Sequence, residues 1–209
     1  MQVLINSGKG DFELSPSTLP DSKCDFKTKQ GNMVTVACWT TAIALADTDN
    51  DGDLDVIIGN RFGSNYLVKN QGVGHFDEAV VLTPGNAGYN GTGPTAAVAV
   101  GDVDGDGQVD VVFAEEGAAS LFLRSDGKGG FERAVALPGQ SCSNPPNCIS
   151  TEAVLLGDID GDGHPDVVVG NDGDPNVFWR NDGHGWFAPP VNLPGSPKAS
   201  TRALAFARI

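Results

Sequence analysis

GDIDGDGHPDVVVG, residues 157–170, sets a row of carboxylates directly before a run of β-branched residues. The arrangement occurs twice more, as ADTDNDGDLDVIIG at residues 46–59 and GDVDGDGQVDVVFA at residues 101–114. The first aspartates are Asp47, Asp102 and Asp158, a period of about 55 residues. A fixed period of this length marks a repeat architecture.

Within each copy, aspartate takes positions 1, 3, 5 and 9 and glycine takes position 6. The first loop carries Asp47, Asp49, Asp51 and Asp55, the second Asp102, Asp104, Asp106 and Asp110, the third Asp158, Asp160, Asp162 and Asp166. Alternate residues on a tightly turning loop converge, and hard oxygen donors suit Ca²⁺, so three calcium sites are expected. The carbonyl of position 7, in Asp53, Gln108 and His164, is the expected additional ligand. Like-charged carboxylates about 4 Å apart repel by up to roughly 4 kcal/mol per pair at an effective dielectric near 20, which favours a cation.

An EF-hand opens the same way but needs a bidentate Glu at position 12 and flanking helices. Position 12 here is Ile58, Phe113 and Val169. The runs DVIIG, DVVFA and DVVVG instead read as strands buried on both faces. Acidic surface turns without metal are the plain alternative, and three equally spaced copies weigh against it.

Around each Asp loop the pattern extends in both directions. AIALA, AAVAVG, EAVLLG and RALAFA, beginning at Ala42, Ala96, Glu152 and Arg202, read as inner strands. Thr40, Thr95, Thr151 and Thr201 stand seven residues before each first loop position, and their hydroxyls are expected to bond the local backbone. Downstream, YLVKNQGVGHF, LFLRSDGKGGF and VFWRNDGHGWF each read as a strand, a glycine turn and a further strand opening on Phe76, Phe131 or Phe187. VLINSGKGDF, ending at Phe12, repeats that half of the pattern. The paired glycines, from Gly8 and Gly10 to Gly183 and Gly185, supply the positive φ of tight hairpins. A phosphate cradle would need a helix after the glycines, and a strand follows them.

The chain therefore reads as all-β: a β-propeller of four-stranded antiparallel blades in one domain over 1–209. Blades are expected at 42–83, 96–138 and 153–194, with the outer two strands of a partial blade at 1–19 and an inner strand of a further blade at 202–209. Residues 19–41 read as an expanded basic connection holding Lys23, Lys27, Lys29 and Trp39. The incomplete ends read as a piece of a larger propeller, or as edges through which two copies associate.

The net charge of −14 argues against nucleic acid, which requires clustered Lys and Arg. No segment reads as membrane-inserting. Four cysteines form two close pairs, Cys24 with Cys38 and Cys142 with Cys148, expected as local disulfides of an oxidising compartment. A Cys₄ zinc site is the alternative, although the usual close Cys-x₂₋₄-Cys spacing is missing. Asn90-Gly91-Thr92 is a glycosylation sequon. The N-terminus has no signal-peptide core, so secretion is argued from the cysteines or from a leader outside this sequence.

These motifs, DxDxDGxxD, the following DVVVG-type strand and the NxGxGxF turn, resemble the FG-GAP or VCBS-type repeats, also found in integrin α subunits. The resemblance covers nearly the whole chain and implies an extracellular or cell-surface propeller with calcium in the Asp loops. Phe62-Gly63 is followed by no Gly-Ala-Pro, a departure from the integrin pattern.

In an up-and-down blade the Asp loops and glycine turns share one end of the sheets. The second-to-third-strand loops and inter-blade connections share the other. A protein or glycan partner is expected at that second end, near Trp39 and Tyr89, whereas Trp179 and Trp186 read as blade packing. The expected function is a calcium-stabilised binding or adhesion module and not an enzyme. A propeller-type polysaccharide lyase or hydrolase is the alternative, and a structural spacer is the third reading. His75, His164 and His184 lie on the Asp-loop end and follow the repeat, with no acid–base pair standing out.

Overall fold

The computed structural model describes residues 39–72, 75–83, 93–140, 149–196, 198 and 200–206, together with the backbone of strands at 2–6, 12–18, 23–27 and 33–37. Cys38, Tyr89, Asn90, Cys142 and Cys148 lie outside the described residues, as does the side chain of Cys24. The glycines of the first turn, Gly8 and Gly10, and Gly74 of the second lie outside them as well.

The described residues form sixteen strands and no helix. Among them, no helix is long and apolar enough to cross a membrane. Three four-stranded antiparallel sheets follow one another along the chain. Sheet I contains β5 (Thr40–Ala46), β6 (Asp55–Asn60), β7 (Asn65–Val68) and β8 (Val80–Thr83). Sheet II contains β9 (Thr95–Gly101), β10 (Asp110–Glu115), β11 (Leu121–Leu123) and β12 (Val135–Ala136). Sheet III contains β13 (Ser150–Gly157), β14 (Asp166–Asp172), β15 (Val177–Trp179) and β16 (Val191–Asn192). Strands pair in sequence order within each sheet, and the described sheets do not close into a ring.

Two further hairpins precede them: β1 (Gln2–Asn6) with β2 (Phe12–Thr18), and β3 (Lys23–Lys27) with β4 (Met33–Ala37). The second lies within residues 19–41, read from the sequence as an expanded connection, and shows that this connection contains a hairpin. Cys24 and Phe26 alternate with Lys23, Asp25 and Lys27, and they stand opposite Val36 and Val34, a period-two pattern that the lysines obscured.

The second strand of each sheet is the centre of its layer, and β6 and β10 are buried at every residue. One core, between sheets I and II, gathers Ile57, Leu67, Val111, Phe113, Leu121 and Leu123. The other, between sheets II and III, gathers Val103, Val112, Phe122, Val167, Val169 and Trp179. Trp179 is fully buried and donates its Nε1–H to the Pro138 carbonyl at 2.8 Å. Gly59 stands just before the end of β6, where the next inner strand lies against it. A Cβ on Gly59 would come within 2.8 Å of both Thr95 Cγ2 and Val98 Cγ2.

Two expectations fail here. Phe76, Phe131 and Phe187 do not open the fourth strands; each makes an isolated bridge, to Asn70, Ser125 and Asn181, and the strand begins four residues later. Residues 201–206, expected as an inner strand within 202–209, form no strand. An inner strand is hydrogen-bonded only by the second strand of its own sheet, and no second strand accompanies this segment among the described residues. It is held instead by the Thr201 N–H on the Asn171 carbonyl, at 3.0 Å, and by packing of Thr201 and Phe206 over Gly170 and Gly157.

Candidate metal centres and the opposite sheet ends

The link from first to second strand is the same in all three sheets. Position 1 folds the loop onto itself: Asp47 Oδ2 accepts the Gly52 N–H at 2.9 Å, Asp102 Oδ2 the Gly107 N–H at 3.0 Å, and Asp158 Oδ2 the Gly163 N–H at 3.0 Å. Position 5 makes the next turn, with Asp51, Asp106 and Asp162 accepting from the amides of Asp53, Gln108 and His164 at 2.9, 2.8 and 2.9 Å. Gly52, Gly107 and Gly163 have φ of 94°, 84° and 93°, and a Cβ on any of them would meet nothing within 4 Å, so backbone conformation alone requires glycine there. Position 4 is left-handed too: Gly105, Gly161 and Asn50, whose φ is 59°. Asn and Gly are the residues that tolerate this region, a second glycine-type signal that the sequence carries beside position 6.

Position 9 is a brace. Asp55 is fully buried; its Oδ2 accepts the Thr48 amide at 3.0 Å and the Thr48 hydroxyl, and its Oδ1 accepts the Asn70 N–H at 2.8 Å. Asp110 does the same for Val103 and Ser125, at 2.9 and 2.8 Å, and Asp166 for Ile159 and Asn181, at 3.0 and 2.9 Å. One carboxylate thus ties the Asp loop to the end of the third strand. Burial pushes the Asp110 carboxyl up to about 6, against the lowering effect of the N–H bonds from Ser125 and Val103.

Three groups of carboxylate oxygens each lie within 4.8 Å of one another: Asp47, Asp49 and Asp51; Asp102, Asp104 and Asp110; Asp158, Asp160 and Asp166. Asp55, Asp106 and Asp162 fall outside these groups, and Gln108 uses its Oε1 to accept the Asn50 Nδ2–H of the neighbouring loop at 2.6 Å. The donor set fits a hard divalent cation. Asp49 Oδ1 and Asp102 Oδ1 are buried with no hydrogen-bond partner, which a bound cation would satisfy. A carboxylate has about four lone-pair sites, so the braced Asp110 and Asp166 retain capacity for a metal.

The like-charge repulsion counted from the sequence is offset by groups it did not include. A basic side chain at the end of each third strand reaches the position-3 aspartate: Lys69 Nζ to Asp49 Oδ2 at 3.0 Å, Arg124 Nε to Asp104 Oδ2 at 2.8 Å, and Arg180 Nε to Asp160 Oδ2 at 3.4 Å. The glycine turns lie beside these pairs. Asp126 and Asp182 each accept two backbone N–H bonds within their turns, which hold both carboxyls below their ordinary range.

At the other end of the sheets runs a polar belt. The Thr hydroxyls, expected to bond local backbone, reach across to the end of the second strand: Thr40 to Asn60 Oδ1 at 2.9 Å, Thr95 to Glu115 Oε1 at 2.8 Å, and Thr151 to Asn171 Oδ1 at 3.0 Å. Thr95 also accepts the Asn65 Nδ2–H of sheet I at 2.8 Å, so the belt crosses between sheets.

Beyond the belt, Trp39 is 61% exposed and meets Phe62, 40% exposed, edge to face at 5.6 Å between centroids. Arg61, between them, donates its amide to the Trp39 carbonyl at 2.7 Å and pairs with Glu116 at 2.6 Å. Trp186 is not blade packing: it is 75% exposed, on the glycine turn of sheet III at the Asp-loop end.

The FG-GAP-like repeat profile matches residues 47–113 and 158–208. The chain belongs to the FG-GAP-like repeat family. These FG-GAP repeats are also similar in fold to a solved Agrocybe aegerita lectin, described in terms of its specific recognition of non-reducing terminal N-acetylglucosamine. The TM-score is 0.55 at 19% identity, over 91% of this chain and 45% of the lectin. The chain thus spans under half the length of that structure. A second solved structure, BBS1N in complex with ARL6DN, matches at a TM-score of 0.48 and 11% identity, over 78% of this chain and 46% of that one.

Proposed function

We propose that the FG-GAP repeats form part of a calcium-stabilised β-propeller that acts as an extracellular recognition module, with a glycan as its ligand. The observation that carries this reading is the exposed Trp39–Phe62 pair at the sheet ends opposite the Asp loops. Covering exposed aromatic faces gains free energy on binding, and a sugar ring offers an apolar face for stacking. The Arg61–Glu116 pair beside them supplies charged hydrogen-bonding groups that suit sugar hydroxyls. The fold likeness to a lectin supports the ligand class. Calcium would be held by the three aspartate groups and would stiffen the loops that position the sheets. Extracellular calcium modules bind at about 10⁻⁴–10⁻³ M, and the paired cysteines of the sequence suit the same compartment.

Binding without catalysis is proposed because no acid–base pair stands out in the sequence and the His164 ring is packed against a turn. The His164 ring lies against Gly183, and the His184 carbonyl accepts from Arg124. The test is a glycan array with wild type, Trp39→Ala, Phe62→Ala and Trp186→Ala, run beside a polysaccharide-cleavage assay. Retention on the array that is lost in the first two variants and kept in the third is expected. An empty array, or loss confined to Trp186→Ala, would reject the site; cleaved product would favour the enzyme reading.

A further inference from the structure

Every Asp loop is served by one basic side chain, delivered from the same place. Lys69, Arg124 and Arg180 each precede the residue, Asn70, Ser125 or Asn181, whose amide braces the position-9 aspartate. The third strand therefore brings a brace and a cation to the loop together, and the cation always takes Oδ2 of position 3. We infer that Lys69, Arg124 and Arg180 are tethered counter-cations that hold the position-3 aspartate in place and compete with calcium for it, thereby setting the calcium affinity.

Two observations make the contact more than a surface ion pair. The next repeat covers it: a Cβ on Gly129 would lie 2.5 Å from Asp49 Cβ and would also collide with Lys69 Nζ, while one on Gly185 would lie 2.9 Å from Arg124 Nη2 and 3.4 Å from Asp104 Cβ. Arg124 is fixed further by donating from Nη2 to the His184 carbonyl of that turn. The second is the division of oxygens seen at Asp49; in the other two loops Oδ1 of position 3 accepts the position-5 amide. Asp49 gives Oδ2 to Lys69 and keeps Oδ1 buried and unpartnered, which leaves one oxygen for a metal.

A divalent ion placed among these carboxylates meets a positive charge already bound to one of them. The side chain therefore stabilises the metal-free loop and opposes the metal, two effects of opposite sign. The metal-free loop keeps its position-1, position-5 and position-9 backbone bonds without the basic group, so repulsion dominates the change in affinity. Shielding grades the effect. The Arg124–Asp104 pair has side chains 38% and 6% exposed, the Arg180–Asp160 pair 59% and 26%, and water and salt screen the latter more.

The inference rests on the calcium reading, and the experiment keeps the two apart. Wild type, Arg124→Met, Arg124→Lys, Lys69→Met and Arg180→Met are titrated with calcium chloride by calorimetry and melted in chelator. Arg124→Met and Lys69→Met should each tighten one site by roughly tenfold while lowering the chelator Tm. Arg124→Lys should return both quantities toward wild type, and Arg180→Met should change both least. Unchanged or weaker calcium binding in Arg124→Met and Lys69→Met, with wild type binding normally, overturns the inference. If one of the two fails to fold, the other decides. A wild type that takes up no calcium removes the metal reading itself, and this inference with it.

Discussion

The Thr95 hydroxyl donates to Glu115 Oε1 at 2.8 Å, both residues being buried, while Glu115 Oε2 has no partner. The other two sheets place Asn60 and Asn171 at this position, with both amide groups satisfied. Burial pushes the Glu115 carboxyl up to about 8, despite the lowering effect of the Thr95 hydroxyl and the Gly93 backbone; the charge of Glu116 adds to the rise. The ordinary value is 4.5, so between pH 4.5 and 8 the folded chain holds a proton that the unfolded chain releases. Stability therefore falls as pH rises through that window, with a slope of up to about 1.4 kcal/mol per pH unit, and levels off above it. Glu115→Gln removes the titration. Urea melts across pH 5 to 9 should show a flatter profile for the variant and a gain over wild type at about pH 8, where Glu115 is otherwise half ionised.

The brace and the ligands of an Asp loop can be separated by substitution. Asp55 accepts on both oxygens from backbone amides of Thr48 and Asn70. In Asp55→Asn the Nδ2 group must face one of those donors inside the core, at a cost of about 1–3 kcal/mol for the group left unpaired. That loss should appear equally in chelator and in calcium. Asp47→Asn, at the half-buried first position, should lower the Tm chiefly when calcium is present. Identical calcium-dependent losses in both variants would show that position 9 acts as a ligand first.

Much of the fold is legible in the sequence. DxDxDGxxD fixes a loop because its constraints are local: Asp47 bonds Gly52, Asp51 bonds Asp53, and position 6 needs positive φ. The second strands are readable from Val111-Val112-Phe113 and its counterparts, since burial on both faces selects continuous apolar runs. What escapes such a reading is set by partners far apart in the chain. Thr151 and Asn171 are 20 residues apart, and Lys69 meets Asp49 over the same distance, under a glycine from another sheet. Each looks like an ordinary polar residue at a strand end. Trp179 and Trp186 stand seven residues apart in one repeat, yet only the first points into a core, because Trp186 lies in the turn and its neighbour Phe187 takes the core-facing side.

Gly129 shows how a turn glycine can be required twice over. Its φ of 76° alone disfavours a side chain, and any Cβ would also press on Asp49 and Lys69 of the preceding sheet. Gly127, in the same turn, has φ of 67° and open space around it. Gly127→Ala should cost about 1 kcal/mol for the left-handed backbone, whereas Gly129→Ala should add an overpacking cost of about 1–3 kcal/mol. Thermal melts of the pair isolate the contact between sheets. Equal losses would mean that the turn shifts away from sheet I at little cost.

Calcium should act on the fold as a ligand that binds only its native form. At a free concentration ten times the dissociation constant, each occupied site adds about 1.4 kcal/mol, and three equal independent sites would together add about 4 kcal/mol. The three aspartate groups lie in successive sheets linked by the Asn50–Gln108 bond and by glycine turns packed on neighbouring loops, so the gain should spread through all three sheets. Hydrogen exchange with and without calcium tests this directly. Added protection along β6, β10 and β14 together is the expected result; protection confined to the loops would mean that the metal stiffens turns without holding the sheets.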